Sequence, residues 1–331
     1  MIHSDKIFEV LEKDITNSKD IDELTKSKLL KNVLALKSQK LNIMITGATG
    51  AGKSSTINAL FNTDIAKVGA GVDPETMDVT RYELNNLVLW DSPGLGDGKE
   101  KDNLHAKNII AKLNELDSKQ QPLIDLVLVI VDGSTKDLGT SYELINSVII
   151  PNLGANPDSR ILVGINQADN ARKGRNVWDY DLNRPTPETE VFLKDKARSV
   201  KARIKEATNV DVDPVFYAAG VKEGDEAQNP YNLSKLLYMI VNKIPKAKRA
   251  VLANNNISKE EEMWQDNDDI KNYNAEIKKG IMESIIETAS AGADIGRNVG
   301  KLFGKTGEAV GGMVGATVGA VVGGIKSLLG F

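Results

Sequence analysis

No cysteine occurs among the 331 residues, which excludes disulfides, thiolate metal sites and cysteine nucleophiles. Histidine occurs only at His3 and His105, so a histidine-rich metal centre is excluded and a Ser-His-Asp hydrolase is not expected. Basic charge is not in excess. Lys and Arg number 42 against 46 Asp and Glu, for a formal net charge of −4, and no DNA binding is indicated by such a balance. The opening residues, Met1 to Val10, show no cationic start followed by an apolar run. No secretory signal is therefore expected, and the expected location is cytoplasmic. With 41% hydrophobic and 27% charged residues, the chain reads as globular and long enough for one large domain or two.

Against these absences stands one dense stretch, Gly47-Ala48-Thr49-Gly50-Ala51-Gly52-Lys53-Ser54, followed by Ser55. It fills every position of G-x-x-x-x-G-K-[ST], the phosphate-binding loop of nucleoside triphosphatases. The apolar run Leu41–Thr46 before it reads as a buried strand, and Ser54–Phe61 after it as a helix opening. Glycines let the backbone curl so that successive N–H groups face a phosphate, and the helix adds the positive end of its dipole. Lys53 is expected to meet the β- and γ-phosphates, and the Ser54 hydroxyl to bind Mg²⁺.

Before this loop, residues 1–40 space Ile7, Phe8, Leu11 and Ile15, then Ile21, Leu24, Leu30 and Leu34, as two short helices would, with Asp20 and Glu23 resembling a capping box. After it, Lys67 to Thr80 is rich in glycine, proline and short polar residues, which predicts a mobile loop. Thr76 and Thr80 are both candidates to reach Mg²⁺ and the γ-phosphate. Thr76 is preferred, because Thr80-Arg81-Tyr82-Glu83-Leu84 alternates like a strand. A further strand, Asn86 to Trp90, runs into Asp91-Ser92-Pro93-Gly94, a D-x-x-G pattern. Asp91 there would hold Mg²⁺ through water, and the Gly94 N–H would sense the γ-phosphate.

In this order the motifs resemble the Era-like (TrmE-Era type) bacterial GTPases of the translation-factor class. Gly47 to Phe61 is also similar to the loops of septins and plastid-import GTPases. Gly71-Val72-Asp73-Pro74-Glu75-Thr76-Met77 and Trp90 to Gly94 are similar to those of the immunity GTPases. The resemblance covers roughly residues 41–248. It implies an α/β fold, a P-loop NTPase G domain with a mostly parallel sheet and helices on both faces, plus helical N- and C-terminal extensions. It further implies GTP/GDP and Mg²⁺ as cofactors, with Ser54, Thr76 and Asp91 on the metal and Lys53, Thr76 and Gly94 serving hydrolysis.

The same resemblance assigns the base-reading end. Ile124–Val131 and Arg160–Ile165 are apolar runs that suit central parallel strands. The second leads into Asn166-Gln167-Ala168-Asp169, where the family has N-K-x-D. Asp169 would accept two hydrogen bonds from guanine, which disfavours an ATPase, and Asn166 would tie this loop to the phosphate loop. Gln167 stands where lysine is expected, so weaker nucleotide binding is anticipated. Ala218 and Ala219 sit where the family's loop meets the base through backbone N–H groups. Leu95 occupies the position at which many GTPases orient the attacking water with glutamine, so slow turnover is expected without a second subunit or an activator. A nucleotide-binding interaction scaffold without hydrolysis is the alternative from another class.

Residues 170–190 read as a long polar loop with basic residues and two aromatics, solvated in preference to touching a partner or RNA. Residues 249–290 read as a polar connector and helix. The last segment, 291–331, is rich in glycine at four-residue spacing, and Ala309–Ile325 carries no charge. Membrane association, peripheral or tail-anchored, homotypic helix contact and a flexible tail all remain open for it. A homodimer through the G domain is also left open.

Overall fold

The computed structural model describes residues 5–19, 21–61, 67–70, 79–174, 176–220, 228–253, 256–258 and 260–291. Thr76, Asp20 and the glycine-rich tail beyond residue 291 lie outside the described residues. Two compact units are distinguished: residues 1–40, 245–257 and 278–331 form one, and residues 41–244 with 258–277 the other.

The first unit begins with two helices, α1 (Asp5–Asn17) and α2 (Glu23–Lys37). Phe8, Leu11 and Ile15 on α1 and Leu29, Val33 and Leu36 on α2 are buried, each set spaced as one helical face. Leu24 and Leu34, expected on the apolar face, are instead 68% and 60% exposed; the α2 stripe is set one step away, by Leu29, Val33 and Leu36. The cap also differs from Asp20. Asp22 Oδ1 accepts the Thr25 N–H at 2.8 Å and Oδ2 the Thr25 hydroxyl at 2.9 Å, because the helix begins at Glu23 and Asp22 is the residue just before its first turn.

The second unit holds a seven-stranded sheet. Along the chain come β1 (Leu41–Gly47), α3 (Lys53–Leu60), β2 (Lys67–Ala70), β3 (Thr80–Leu84), β4 (Leu87–Asp91), α4 (Lys99–Asn114) and β5 (Leu126–Asp132). Next is α5 (Gly139–Glu143), which continues into a π-helical turn (Leu144–Ile149) and a 3₁₀ turn (Ile150–Asn152), then α6 (Pro157–Arg160) and β6 (Ile161–Asn166). A short ribbon, β7 (Trp178–Asp179) and β8 (Arg184–Pro185), precedes α7 (Pro187–Thr208), β9 (Val215–Phe216) and α8 (Leu233–Lys243). The last helix, α9, spans Tyr273–Ala289 and belongs to this unit only up to Ile277, its remainder to the first.

Strand order is β2-β3-β4-β1-β5-β6-β9. β4, β1, β5, β6 and β9 pair in parallel, while β3 and β2 add an antiparallel edge. Lys67–Ala70, expected within a loop, is that edge strand, paired to Thr80–Glu83. Successive residues of a strand face opposite sides of the sheet, and every residue of β1 and β6 is buried. Both faces are therefore covered by helices. On one face Val127, Val129 and Val131 share a cluster with Ile109 and Leu113 of α4 and Leu193, Val200 and Ile204 of α7. Each such side chain contributes on the order of 1.5–3 kcal/mol by leaving water.

Residues 170–190 are not a plain solvated loop. The Trp178 ring is buried, edge-on to Tyr231 with ring centroids 5.1 Å apart, and only Tyr180 of the two aromatics is exposed. In the first unit, Asn32 Nδ2 of α2 donates to the Ala289 carbonyl at 2.9 Å and the Ala291 carbonyl at 2.8 Å, satisfying the last turn of α9. Among the described residues no helix is long and apolar enough to cross a membrane.

Candidate functional site

Parallel pairing puts the carboxyl ends of five strands along one edge of the sheet, where α/β folds bind ligands. Register makes this concrete. Ile45 of β1 is level with Asp91 of β4, Gly47 with Ile130 of β5, and Asp132 with Asn166 of β6. The loops that leave these ends carry the residues singled out from the sequence.

The phosphate loop turns at Gly50 (φ +81°) and Gly52 (φ +87°), left-handed conformations that side chains other than glycine rarely adopt. Gly47 and Gly52 also answer to close neighbours: a Cβ would meet the Ile130 carbonyl oxygen at 2.1 Å and Asn166 Nδ2 at 2.2 Å respectively. Among the described residues, the N–H groups of Gly50, Gly52, Lys53, Ser54 and Ser55 donate to no acceptor. They form a nest of donors at the start of α3, suited to a phosphate. Within the loop Ala51 N–H donates to the Ala48 carbonyl at 3.2 Å, and Thr49 N–H reaches outside it to the Leu95 carbonyl at 3.1 Å.

Lys53 Nζ donates to the carbonyls of Gly47 and Ala48, each at 3.2 Å, which leaves one of its three protons for a ligand. Burial pushes its pKa below the ordinary lysine value, against the opposing pull of Asp91 and Asp97. Burial likewise raises the pKa of Asp91, opposed by Lys53. Desolvation thus outweighs attraction at both groups, the condition of a site shaped for charges that a ligand would bring.

Asp91 Oδ1 is buried with no hydrogen-bond partner. Such an orphaned acceptor fits a hydrated Mg²⁺, with the exposed Ser54 hydroxyl on the first turn of α3 as the direct ligand. Among the described residues no group of three or more His, Cys, Asp or Glu could hold a metal ion. Thr80, the less favoured threonine, begins β3 opposite Asp91.

Asn166 joins the two ends of the site. Its Nδ2 donates to the Ala51 carbonyl at 3.0 Å, and its Oδ1 accepts the Ala219 N–H at 3.0 Å. Gln167, in a left-handed conformation (φ +59°), donates from Nε2 to the Gly50 carbonyl at 3.0 Å, so its amide makes a tie to the phosphate loop that the sequence did not show. Asp169 follows on a 3₁₀ turn (Ala168–Asn170). Asn170 Nδ2 donates to its carboxylate at 3.2 Å, and burial raises its pKa against the opposing pull of the Asp169 and Asn170 backbone N–H groups. Ala218 and Ala219 reach this end of the site, but their amides are engaged within the protein. Ala218 N–H donates to the Tyr231 carbonyl and Ala219 N–H to Asn166. The next amide, at Gly220 (φ +78°), has no acceptor among the described residues.

Two partnerships escaped the sequence. The buried Tyr217 hydroxyl lies 2.7 Å from Thr56 Oγ1 of α3, and Thr56 also donates to the Gly52 carbonyl at 2.8 Å. His105 of α4 reaches the Gly94 carbonyl. A period-3.6 reading of residues 99–114 would have put His105 on the same face as Ile109 and Lys112, all buried.

Residues 42–165 match the model of a family described as 50S ribosome-binding GTPase. The Escherichia coli (strain K12) protein YkfA, itself described as uncharacterized, is 30% identical over 156 residues, 46% of this chain and 50% of that one. Mouse interferon-inducible GTPase 1 is 39% identical over 80 residues, 22% of this chain and 19% of that one. A solved structure of Toc33 from Arabidopsis thaliana in complex with GDP and Mg²⁺ aligns at 15% identity and TM-score 0.43, over 74% of this chain and 98% of that one. The chain spans about half the length of the first two curated relatives it matches. Sheet order, motif order and family match agree on the fold of a P-loop G domain, a mostly parallel sheet with helices on both faces.

Proposed function

We propose that the sheet-bearing unit binds GTP and GDP with Mg²⁺ and hydrolyses GTP slowly, the change of ligand resetting the loops at Thr76 and Gly94. The observation that carries this reading is the pair of hydrogen bonds made by the Asn166 amide, which tie the start of the Asp169 loop to the phosphate loop at Ala51 and to Ala219. A base and a phosphate chain are thereby read at a fixed separation. At the base end, Asp169 offers two carboxylate oxygens to the N1–H and 2-amino group of guanine. Adenine has neither donor and would leave a half-buried carboxylate unpaired.

At the phosphate end, Lys53 and the nest of N–H groups neutralise the β- and γ-phosphates. Mg²⁺, held through Ser54, Asp91 and Thr76, would supply charge compensation at the transferring phosphoryl group. Leu95 offers nothing polar, because its side chain is 4% exposed within the core cluster. Hydrolysis then rests on Lys53 and main-chain donors, and turnover on the order of 10⁻⁴–10⁻² s⁻¹ is expected without an activator or a partnering second copy.

The buried Leu95 equally favours a second reading, a guanine-nucleotide-binding scaffold that turns over none. Isothermal titration of GDP against ADP in Mg²⁺ tests the base choice, and equal affinities would sink it. Phosphate release over a range of protein concentrations separates the two readings. Specific activity that rises with concentration means activation by dimers, whereas specific activity that stays at zero at every concentration leaves the scaffold.

A further inference from the structure

The segment Gly94–Leu95 is gripped from two sides. On the phosphate-loop side the Leu95 carbonyl accepts the Thr49 N–H at 3.1 Å. Gly94 packs so closely there that a Cβ would stand 2.5 Å from Thr49 N and 2.8 Å from the Gly47 carbonyl oxygen. On the other side, α4 supplies two side chains. Asp102 Oδ1, in its first turn, accepts the N–H groups of Gly96 at 2.9 Å and Asp97 at 3.1 Å. His105, in the second turn and 8% exposed, places Nδ1 3.0 Å from the Gly94 carbonyl oxygen. A carbonyl can only accept, so the ring carries a proton on Nδ1 and donates it.

This bond sets the direction of a peptide plane. In a trans peptide the C=O and N–H point in opposite directions. Drawing the Gly94 carbonyl toward α4 therefore turns the Leu95 N–H away from α4. Gly94 and Leu95 are both buried, yet among the described residues neither N–H has a hydrogen-bond partner. Two adjacent buried donors without acceptors are rare in folded proteins unless a ligand completes them. Leu95, whose side chain gives the chemistry nothing, thus still offers its main-chain donor beside that of Gly94.

We propose that His105 is a positioning residue for terminal-phosphate recognition, holding the Gly94 carbonyl so that the Leu95 N–H, next to that of Gly94, meets the γ-phosphate of bound GTP. The inference rests on the GTP reading above and adds the residue that arms the switch loop. It also makes α4 the element that registers whether a γ-phosphate is present, since His105 and Asp102 both leave from it.

The test compares His105→Asn with His105→Leu in the full chain. The two side chains are near-isosteric, and only asparagine keeps a donor close to where Nδ1 stood. Affinities for GDP and for a non-hydrolysable GTP analogue are measured in Mg²⁺, together with thermal stability. Loss of one positioned hydrogen bond should lower the analogue-to-GDP affinity ratio about tenfold in H105L, with GDP binding itself within about twofold of the parent. H105N should hold the ratio within about threefold. An unchanged ratio in H105L, or equal losses for both nucleotides, overturns the proposal, as does H105N being as defective as H105L at equal thermal stability. His105→Phe fills the ring volume without a donor and gives the same reading if the leucine variant does not fold. Failure of the parent protein to bind either guanine nucleotide would instead overturn the GTP reading itself.

Discussion

Replacing Asn166 with alanine should damage the free protein before any ligand is added. The side chain is 3% exposed and satisfies two buried main-chain groups, the Ala51 carbonyl and the Ala219 N–H, each at 3.0 Å. Alanine leaves both without a partner, at about 1–3 kcal/mol each. Part of that is recovered where water enters, so a loss of about 2–4 kcal/mol is expected. For a unit of this size the melting temperature should fall by roughly 5–15 °C. Urea unfolding of nucleotide-free protein measures the loss directly.

Asn166→Asp sharpens the comparison. It keeps an acceptor for the Ala219 N–H but sets a carboxylate oxygen against the Ala51 carbonyl, so at neutral pH its loss should equal or exceed that of alanine. GDP affinity should also fall in both variants, because binding must then bring the two loops into register unaided. A loss under about 1 kcal/mol in N166A, or an aspartate variant as stable as the parent, would refute the bridge as a feature of the free protein.

Further outcomes follow from the same geometry. Asp169→Asn should lose guanine affinity and gain affinity for xanthine nucleotides, whose 2-oxo group accepts the new amide N–H; competition binding with both nucleotides checks this. It should also alter the pH dependence of stability. The Asp169 pKa is raised by burial above its ordinary 3.8, so the folded chain binds more protons than the unfolded chain between the two values. The carboxyl's contribution to stability is therefore largest below the unfolded value and declines as pH rises through the folded one. Unfolding measured from pH 4 upward should accordingly show nucleotide-free D169N gaining on the parent across that window, then holding level.

Tyr217→Phe removes the hydroxyl 2.7 Å from Thr56 Oγ1, but Thr56 keeps its bond to the Gly52 carbonyl. A loss of only about 1 kcal/mol is expected by denaturant titration. Leu95→Gln should not restore catalysis, because it buries an amide in the core that now holds leucine. A loss of about 2–4 kcal/mol with no gain in phosphate release is expected, and faster turnover would show that residue 95 faces the nucleotide.

The positions of Gly47–Ser54, Asp91 and Asn166–Asp169 could be read directly because each follows a strand whose apolar run is visible locally, and because the turns need glycine or short polar residues at set places. Buried strands β1, β5 and β6 were legible for the same reason, their residues being apolar on both faces. The partners of those residues were not legible. Asn166 finds Ala51 and Ala219, Tyr217 finds Thr56, and His105 finds Gly94 only once β1 lies between β4 and β5 and β6 lies beside β9. Trp178 looked like a loop aromatic because its ribbon is two residues long on each side and its burial comes from Tyr231, distant in sequence. The sequence by itself determined local backbone preference and hence which chemistry each strand end carries. Strand order, which no short stretch encodes, decided which of those groups meet, how deeply they are buried and therefore which way their pKa values move.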